Sequence, residues 1–204
     1  MKIAILVEGE TEVMFKEKLC EFLQSRLGQQ MPKLKFFKDG NGGRIPKEDK
    51  LKRVVENLLD NDGYDAVIAL TDVYTGTKDF QDADDAKNKM RSWVGENSKF
   101  YPHVALHDFE AWLLPYWTTI QALAKHNRSA PNGAPETINH QSPPSYRIKE
   151  IFRLGECRRD HNKLSDGKAI LKKNDLMIAI EACPELKDFV NRIISLCDKD
   201  KSIP

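Results

Sequence analysis

Four short apolar runs, each followed by a helical stripe, constrain what this chain can become. Lys2–Val7 (KIAILV), Lys33–Lys38 (KLKFFK), Asp65–Thr71 (DAVIALT) and Tyr101–His107 (YPHVALH) read as strands. Asp65–Thr71 is almost wholly apolar, as a strand covered on both faces should be. Phe15, Leu19, Phe22, Leu23 and Leu27 fall at helical spacing, as do Leu51, Val54, Val55, Leu58 and Leu59. Ala83, Ala86, Met90, Trp93 and Val94 mark a third helix, and Phe109–Trp117 reads as a fourth. Strands alternating with helices predict an α/β fold with a mostly parallel sheet of about four strands. Right-handed crossovers then bring every strand-to-helix junction to one edge of that sheet. Open α/β sheets bind their ligands at that edge.

The pattern changes after residue 126. Arg128–Pro144 is rich in Pro, Asn, Ser and Gly, and from Ser145 onward only helical segments follow, around 146–154, 167–182 and 185–197. The expected organisation is an α/β core over 1–126 and a helical appendage over 127–204, packed together as one structural unit.

Composition narrows the setting. No apolar run approaches the roughly 18 residues of a membrane span. The start, MKIAILVEGETE, turns acidic after a short apolar run and reads as a buried strand, not a signal peptide. The four cysteines (Cys20, Cys157, Cys183, Cys197) form no C-x-x-C pair, so they read as reduced thiols of a cytoplasmic protein. A net charge of +1 does not advertise a nucleic-acid binder; it leaves room for a local basic groove or a partner that brings the nucleic acid. Oligomeric state is open.

Carboxylates follow three of the strands. Glu8-Gly9-Glu10-Thr11-Glu12 follows the first, Asp72-Val73-Tyr74-Thr75-Gly76 the third, and His107-Asp108-Phe109-Glu110 the fourth. Parallel topology lets Glu8, Asp72, Asp108 and Glu110 converge. Converged carboxylates repel unless a cation sits among them, and an oxygen-only set suits Mg²⁺ or Mn²⁺. The competing reading is capping: Asp and Glu also favour helix N-termini in such loops. Gly9 likewise has two readings, a backbone cradle for an anion at a helix start or a turn with positive φ.

The segment V-E-G-x-T-E, Val7 to Glu12 here, resembles the opening motif of Toprim domains, found in topoisomerases, bacterial primases and overcoming-lysogenization-defect nucleases. The resemblance implies that Glu8 is an acid/base and metal ligand. It also implies a later D-x-D pair of magnesium-binding aspartates; here that place reads Asp72-Val73-Tyr74, with tyrosine where the second aspartate stands. Most of the chain is similar to a bacterial Toprim-like family catalogued as domain of unknown function 4276. The matching residues are Asp72, Tyr74 and Gly76; His107 to Leu114 (HDFEAWLL); Pro135, Glu136, Ile138 and Asn139; Pro144, Ser145 and Arg147; and Cys183, Pro184, Leu186 and Phe189.

This resemblance implies a Toprim-type fold and a metal-dependent nuclease, working with a neighbouring ATPase in bacterial defence against phage or plasmids. Glu8, Asp72, Asp108 and Glu110 would be the metal ligands, with Asp108 and Glu110 replacing the missing aspartate. Arg147 would meet the scissile phosphate. The alternative is a non-catalytic module of the same fold that binds or regulates a partner ATPase. Lys163 and Lys168, beside an expected turn at Asp166-Gly167-Lys168, are, with Arg147, candidates for the cation that offsets developing charge in phosphoryl transfer; the competing reading is plain surface lysines. The basic stretch Arg44–Arg53 reads as a solvated helix face.

Overall fold

A computed structural model describes residues 1–38, 45–74, 80–138, 142–156 and 159–204. The expected loop at 39–43, along with Arg44, Thr75, Gly76, Asn139 and Cys157, lies outside the described residues. Four strands, β1 (Lys2–Val7), β2 (Lys33–Lys38), β3 (Ala66–Val73) and β4 (Phe100–Leu106), form one sheet in the order β2-β1-β3-β4. All three pairings are parallel, with Val7 opposite Leu70 and Asp72 opposite Ala105. The chain steps from β1 outward to β2, then crosses back to β3 and on to β4. Its direction therefore reverses between β1 and β3, which makes their carboxyl ends the topological switch point.

The reversal distributes helices over both faces. Side chains alternate along each strand, so β1 sends Ile3, Ile5 and Val7 to one face and Ala4 and Leu6 to the other. The second face is covered by α2 (Glu48–Glu56) and α3 (Ala83–Val94), through Leu51, Val55, Ala86 and Met90. The first face is covered by α1 (Glu10–Leu27), whose stripe of Phe15, Leu19, Phe22, Leu23 and Leu27 is buried as its spacing requires. Later helices share that layer: α4 (Trp117–Ala124), α5 (Pro144–Leu154), α6 (Lys163–Lys172), α7 (Leu176–Ala182) and α8 (Pro184–Cys197). Ile148, Ile151, Phe152, Ile170, Phe189 and Val190 belong to the same apolar cluster as Ile3 and Phe15. Among the described residues no helix is long and apolar enough to cross a membrane, and Cys20, Cys183 and Cys197 are unbridged.

Local structure departs from the sequence reading in four places. β3 runs on to Val73, so Asp72 lies in the strand and not after it. Phe109–Tyr116 is a 3₁₀ helix, and only Trp117–Ala124 beyond it is α-helical; Pro115, lacking an N–H, interrupts any continuous α-helical ladder. The expected helix over 167–182 is two helices, because the Asp175 carboxylate accepts from Met177 N–H at 2.9 Å and starts α7 afresh. The expected turn at Asp166-Gly167-Lys168 is the interior of α6. Gly167 is there for contact: a Cβ on it would stand 2.7 Å from Met14 Cε on α1.

Gly155, just past α5, is more tightly constrained. A Cβ there would stand 1.8 Å from the backbone oxygen of Ala124. No side-chain rotation relieves that overlap. Gly155→Ala should therefore destabilise the chain by about 3 kcal/mol, at the upper end of ordinary overpacking costs, read by urea unfolding. An unchanged midpoint would mean that α4 and α5 are not held at this separation.

Candidate active site at the carboxyl edge of the sheet

The switch point gathers acid. Glu8 follows β1 directly, Asp72 is the penultimate residue of β3, and Asp108 and Glu110 come just after β4. Glu12, the third residue of α1, joins them. Glu12, Asp108 and Glu110 are buried, Glu8 and Asp72 partly so, and Asp72 Oδ1 is shut off from solvent.

Each carboxylate is fixed differently. The buried Thr71 hydroxyl donates to Glu8 Oε1, because Thr71 and Glu8 stand one residue beyond the Leu70–Val7 pair on adjacent strands. Glu12, at the third position of α1, accepts the N–H of the N-cap residue Gly9, as the acidic half of a capping box. Gly9 has extended backbone (φ −142°), so positive φ is not why glycine stands here. A Cβ would lie 3.3 Å from Glu12 Oε2, and the close approach of that carboxylate is the constraint. Asp108 Oδ2 accepts the Ser145 N–H at 3.2 Å, so it caps α5 from across the molecule. Tyr74 donates to the same oxygen over a long 3.4 Å. Glu110 Oε1 pairs with Lys163 Nζ at 2.8 Å, from the first residue of α6.

The electrostatics follow from this crowding. Burial pushes the Asp72 carboxyl well above the ordinary range, and Glu12, Glu8, Asp108 and Glu110 push it further. Burial also raises Glu12, Asp108 and Glu110, the last with help from Asp108. Ser145 opposes the shift at Asp108, and Lys163 opposes it at Glu110 and Glu12. Burial pulls Lys163 down, but Glu110, Asp108 and Asp72 outweigh it and hold the ammonium above its usual value. Burial, then Asp108, raises the Tyr74 hydroxyl, which therefore remains a donor at neutral pH.

Asp72 Oδ1, Asp108 Oδ1 and Glu110 Oε2 are buried without a hydrogen-bond partner among the described residues. Such oxygens suit a hard cation by their chemistry. Among the described residues, however, no group of three or more His, Cys, Asp or Glu side chains is assembled closely enough to hold a metal ion. Like charge disfavours closer approach without a counter-ion.

Other singled-out residues fall elsewhere. Arg147 lies two residues past Ser145, on another side of α5; its Nε is buried without a partner, and no contact joins it to the carboxylates among the described residues. Lys168 pairs with Glu17 on α1 at 2.8 Å. His107 is buried, its ring 6.2 Å from that of Tyr74. Trp112 and Trp117 are core residues, while Trp93 is only partly buried. Glu12, Thr71 and Ser145 were not singled out as site residues from sequence. The signal for Glu12 was its place at the third position of a helix beginning beside Glu8.

A raised carboxyl pKa makes the folded state bind protons more tightly than the unfolded chain does. Its ionisation therefore costs stability progressively as pH climbs above the ordinary carboxylate range. Asp72→Asn removes the most crowded of these charges. In metal-free buffer at pH 7 it should raise the melting temperature, by roughly 2–4 °C for each kcal/mol relieved in a chain of this size. The gain should shrink as pH falls toward 4. A lower melting temperature at pH 7 would identify Asp72 as a stabilising cap instead.

The remaining resembling motifs have a common structural explanation. Glu136, buried in the short 3₁₀ turn Pro135–Thr137, accepts the indole N–H of Trp112 at 3.0 Å and the Glu185 N–H at 3.0 Å. Trp112 stacks on Phe189 with centroids 6.1 Å apart. One carboxylate thus ties the 3₁₀ segment carrying Glu110 to the start of α8. Neither the curated proteins nor the solved structures yield a match to the chain. The family model described as Domain of unknown function (DUF4276) matches residues 7–194, which takes in β1's last residue, every site carboxylate and Glu136, and the chain belongs to that family.

Proposed function

We propose that the chain hydrolyses nucleic-acid phosphodiesters with a divalent cation held among Glu8, Asp72, Asp108 and Glu110. The observation that carries this reading is the buried carboxylate cluster at the switch point, in which Lys163 pairs with Glu110 and, among the described residues, three buried carboxylate oxygens have no hydrogen-bond partner. Mg²⁺ or Mn²⁺ suits such donors, and when bound it polarises phosphate oxygens and makes a water more acidic. Glu8, aimed by Thr71, is the group that takes and returns the proton. Lys163, half-exposed beside Glu110, offers the positive charge that a phosphorane-like transition state needs. Among the described residues no contact joins Arg147 to the cluster, so Lys163 takes this role. Tyr74 holds Asp108 as a hydrogen-bond donor where the Toprim pattern has an aspartate. The Toprim resemblance supports the same chemistry, and with it a setting beside an ATPase in defence against phage or plasmids.

A specific observation favours a second reading. Tyr74 in the aspartate place, with no assembled metal-ligating group among the described residues, suits a non-catalytic module that binds and regulates a partner ATPase.

Cleavage of single- and double-stranded DNA and RNA in Mn²⁺ separates the two. Glu8→Gln and Asp72→Asn should each lower the rate by about a hundredfold or more, the size expected for loss of a general base or an electrostatic anchor. Circular dichroism should show the fold intact. Full activity in Asp72→Asn, or no cleavage by the wild type on any substrate, would overturn the nuclease reading in favour of the partner module.

A further inference from the structure

A polar cavity of about 280 Å³ lies toward the end of β4 opposite the carboxylates. β4 is the edge strand of the described sheet, so its outer row of backbone N–H and C=O groups has no neighbouring strand among the described residues. α3 and α8 stand on either side of that edge. They bring Lys87, Arg91 and Arg192 to the cavity, whose wall also includes Tyr101, His103 and Asp188. The charges do not cancel locally. Lys87 is engaged by Glu185 at 2.5 Å and Asp188 at 3.9 Å. Arg91 and Arg192 make no ion pair among the described residues: Arg91 donates to Asn88 at 3.0 Å, and Arg192 lies over the Tyr101 ring at 4.8 Å.

His103 is the second, independent sign. It is only 6% exposed, yet it walls the cavity and its Nδ1 has no hydrogen-bond partner among the described residues. Burial, with Lys87, Arg192 and Arg91 nearby, holds its pKa down at about 3. The ring is therefore neutral at pH 7, with one nitrogen to donate and one to accept.

We propose that this cavity binds a small phosphomonoester, its phosphate held by Arg91 and Arg192 and its organic part against Tyr101 and His103. Guanidinium forks match tetrahedral oxyanions. The cavity is larger than one oxyanion needs, and a ring-bearing wall gives the remainder a surface to stack on. From His103 to Asp108 the chain spans about 16 Å if extended, so this site is separate from the carboxylate cluster.

Calorimetric titration of AMP into the full chain, in buffer free of phosphate and sulfate, tests the proposal. The wild type should bind saturably at one site and shift the His103 ring resonances. Arg91→Gln with Arg192→Gln, both exposed positions, should weaken binding by about tenfold or more with the fold unchanged. Asp72→Asn should bind as the wild type does. No saturable heat, an affinity that follows Asp72 and not the arginines, or inorganic phosphate binding as tightly as AMP would each overturn it.

Discussion

Like charges buried together at the ends of β1 and β3 are the constraint on which the rest of this structure turns. Topology makes the crowding unavoidable. The chain reverses direction between these strands, so the residues that follow them share one crevice. Apolar layers on both faces of the sheet then limit solvent access to it. Glu12, Glu8, Asp108 and Glu110 all push against Asp72 there. A cluster of this kind is destabilising in isolation, because desolvation and repulsion both oppose the ionised forms. It persists because the sheet and its helices hold it in place.

The C-terminal helices supply part of the compensation. Ser145, at the start of α5, gives its N–H to Asp108, and Lys163, at the start of α6, gives its charge to Glu110. Both helix starts point favourable charge toward acid. Glu136 ties Trp112 to α8 and so steadies the segment from which Glu110 projects. These helices therefore complete the electrostatics of the site as well as covering the sheet. Among the described residues the carboxylates outnumber the cations at this edge, an imbalance that a bound cation or a cationic partner surface would correct.

Much of the fold was legible in the sequence because period and chemistry agreed. KIAILV is β1 residue for residue, and the Phe15-to-Leu27 stripe is the buried face of α1. Parallel topology also led to Glu8, Asp72, Asp108 and Glu110 as one cluster. What escaped depended on contacts between distant segments. Gly167 looks like a turn signal in a line of text, but in the fold it admits Met14 against a helix. Asp108 follows a strand and so suggested a cap for the helix after it, yet it caps α5, 37 residues later. Lys163 stood in the sequence beside Arg147 and Lys168 as only one candidate for the site's cation, because nothing local reveals that α6 begins beside Glu110. Pro115 and Asp175 did carry local signals for a 3₁₀ segment and a helix restart, and the helical periodicity around them masked both.

The most direct test of the crowded cluster is a carboxyl-carbon NMR titration of the metal-free protein, following Asp72, Glu12, Asp108 and Glu110. The expected result is midpoints above the ordinary carboxylate range, with Asp72 clearly displaced, and a downward shift when Mg²⁺ is added. Ordinary midpoints for all of them, unmoved by Mg²⁺, would contradict the account: the acids would then be separate, solvated caps and not one buried site.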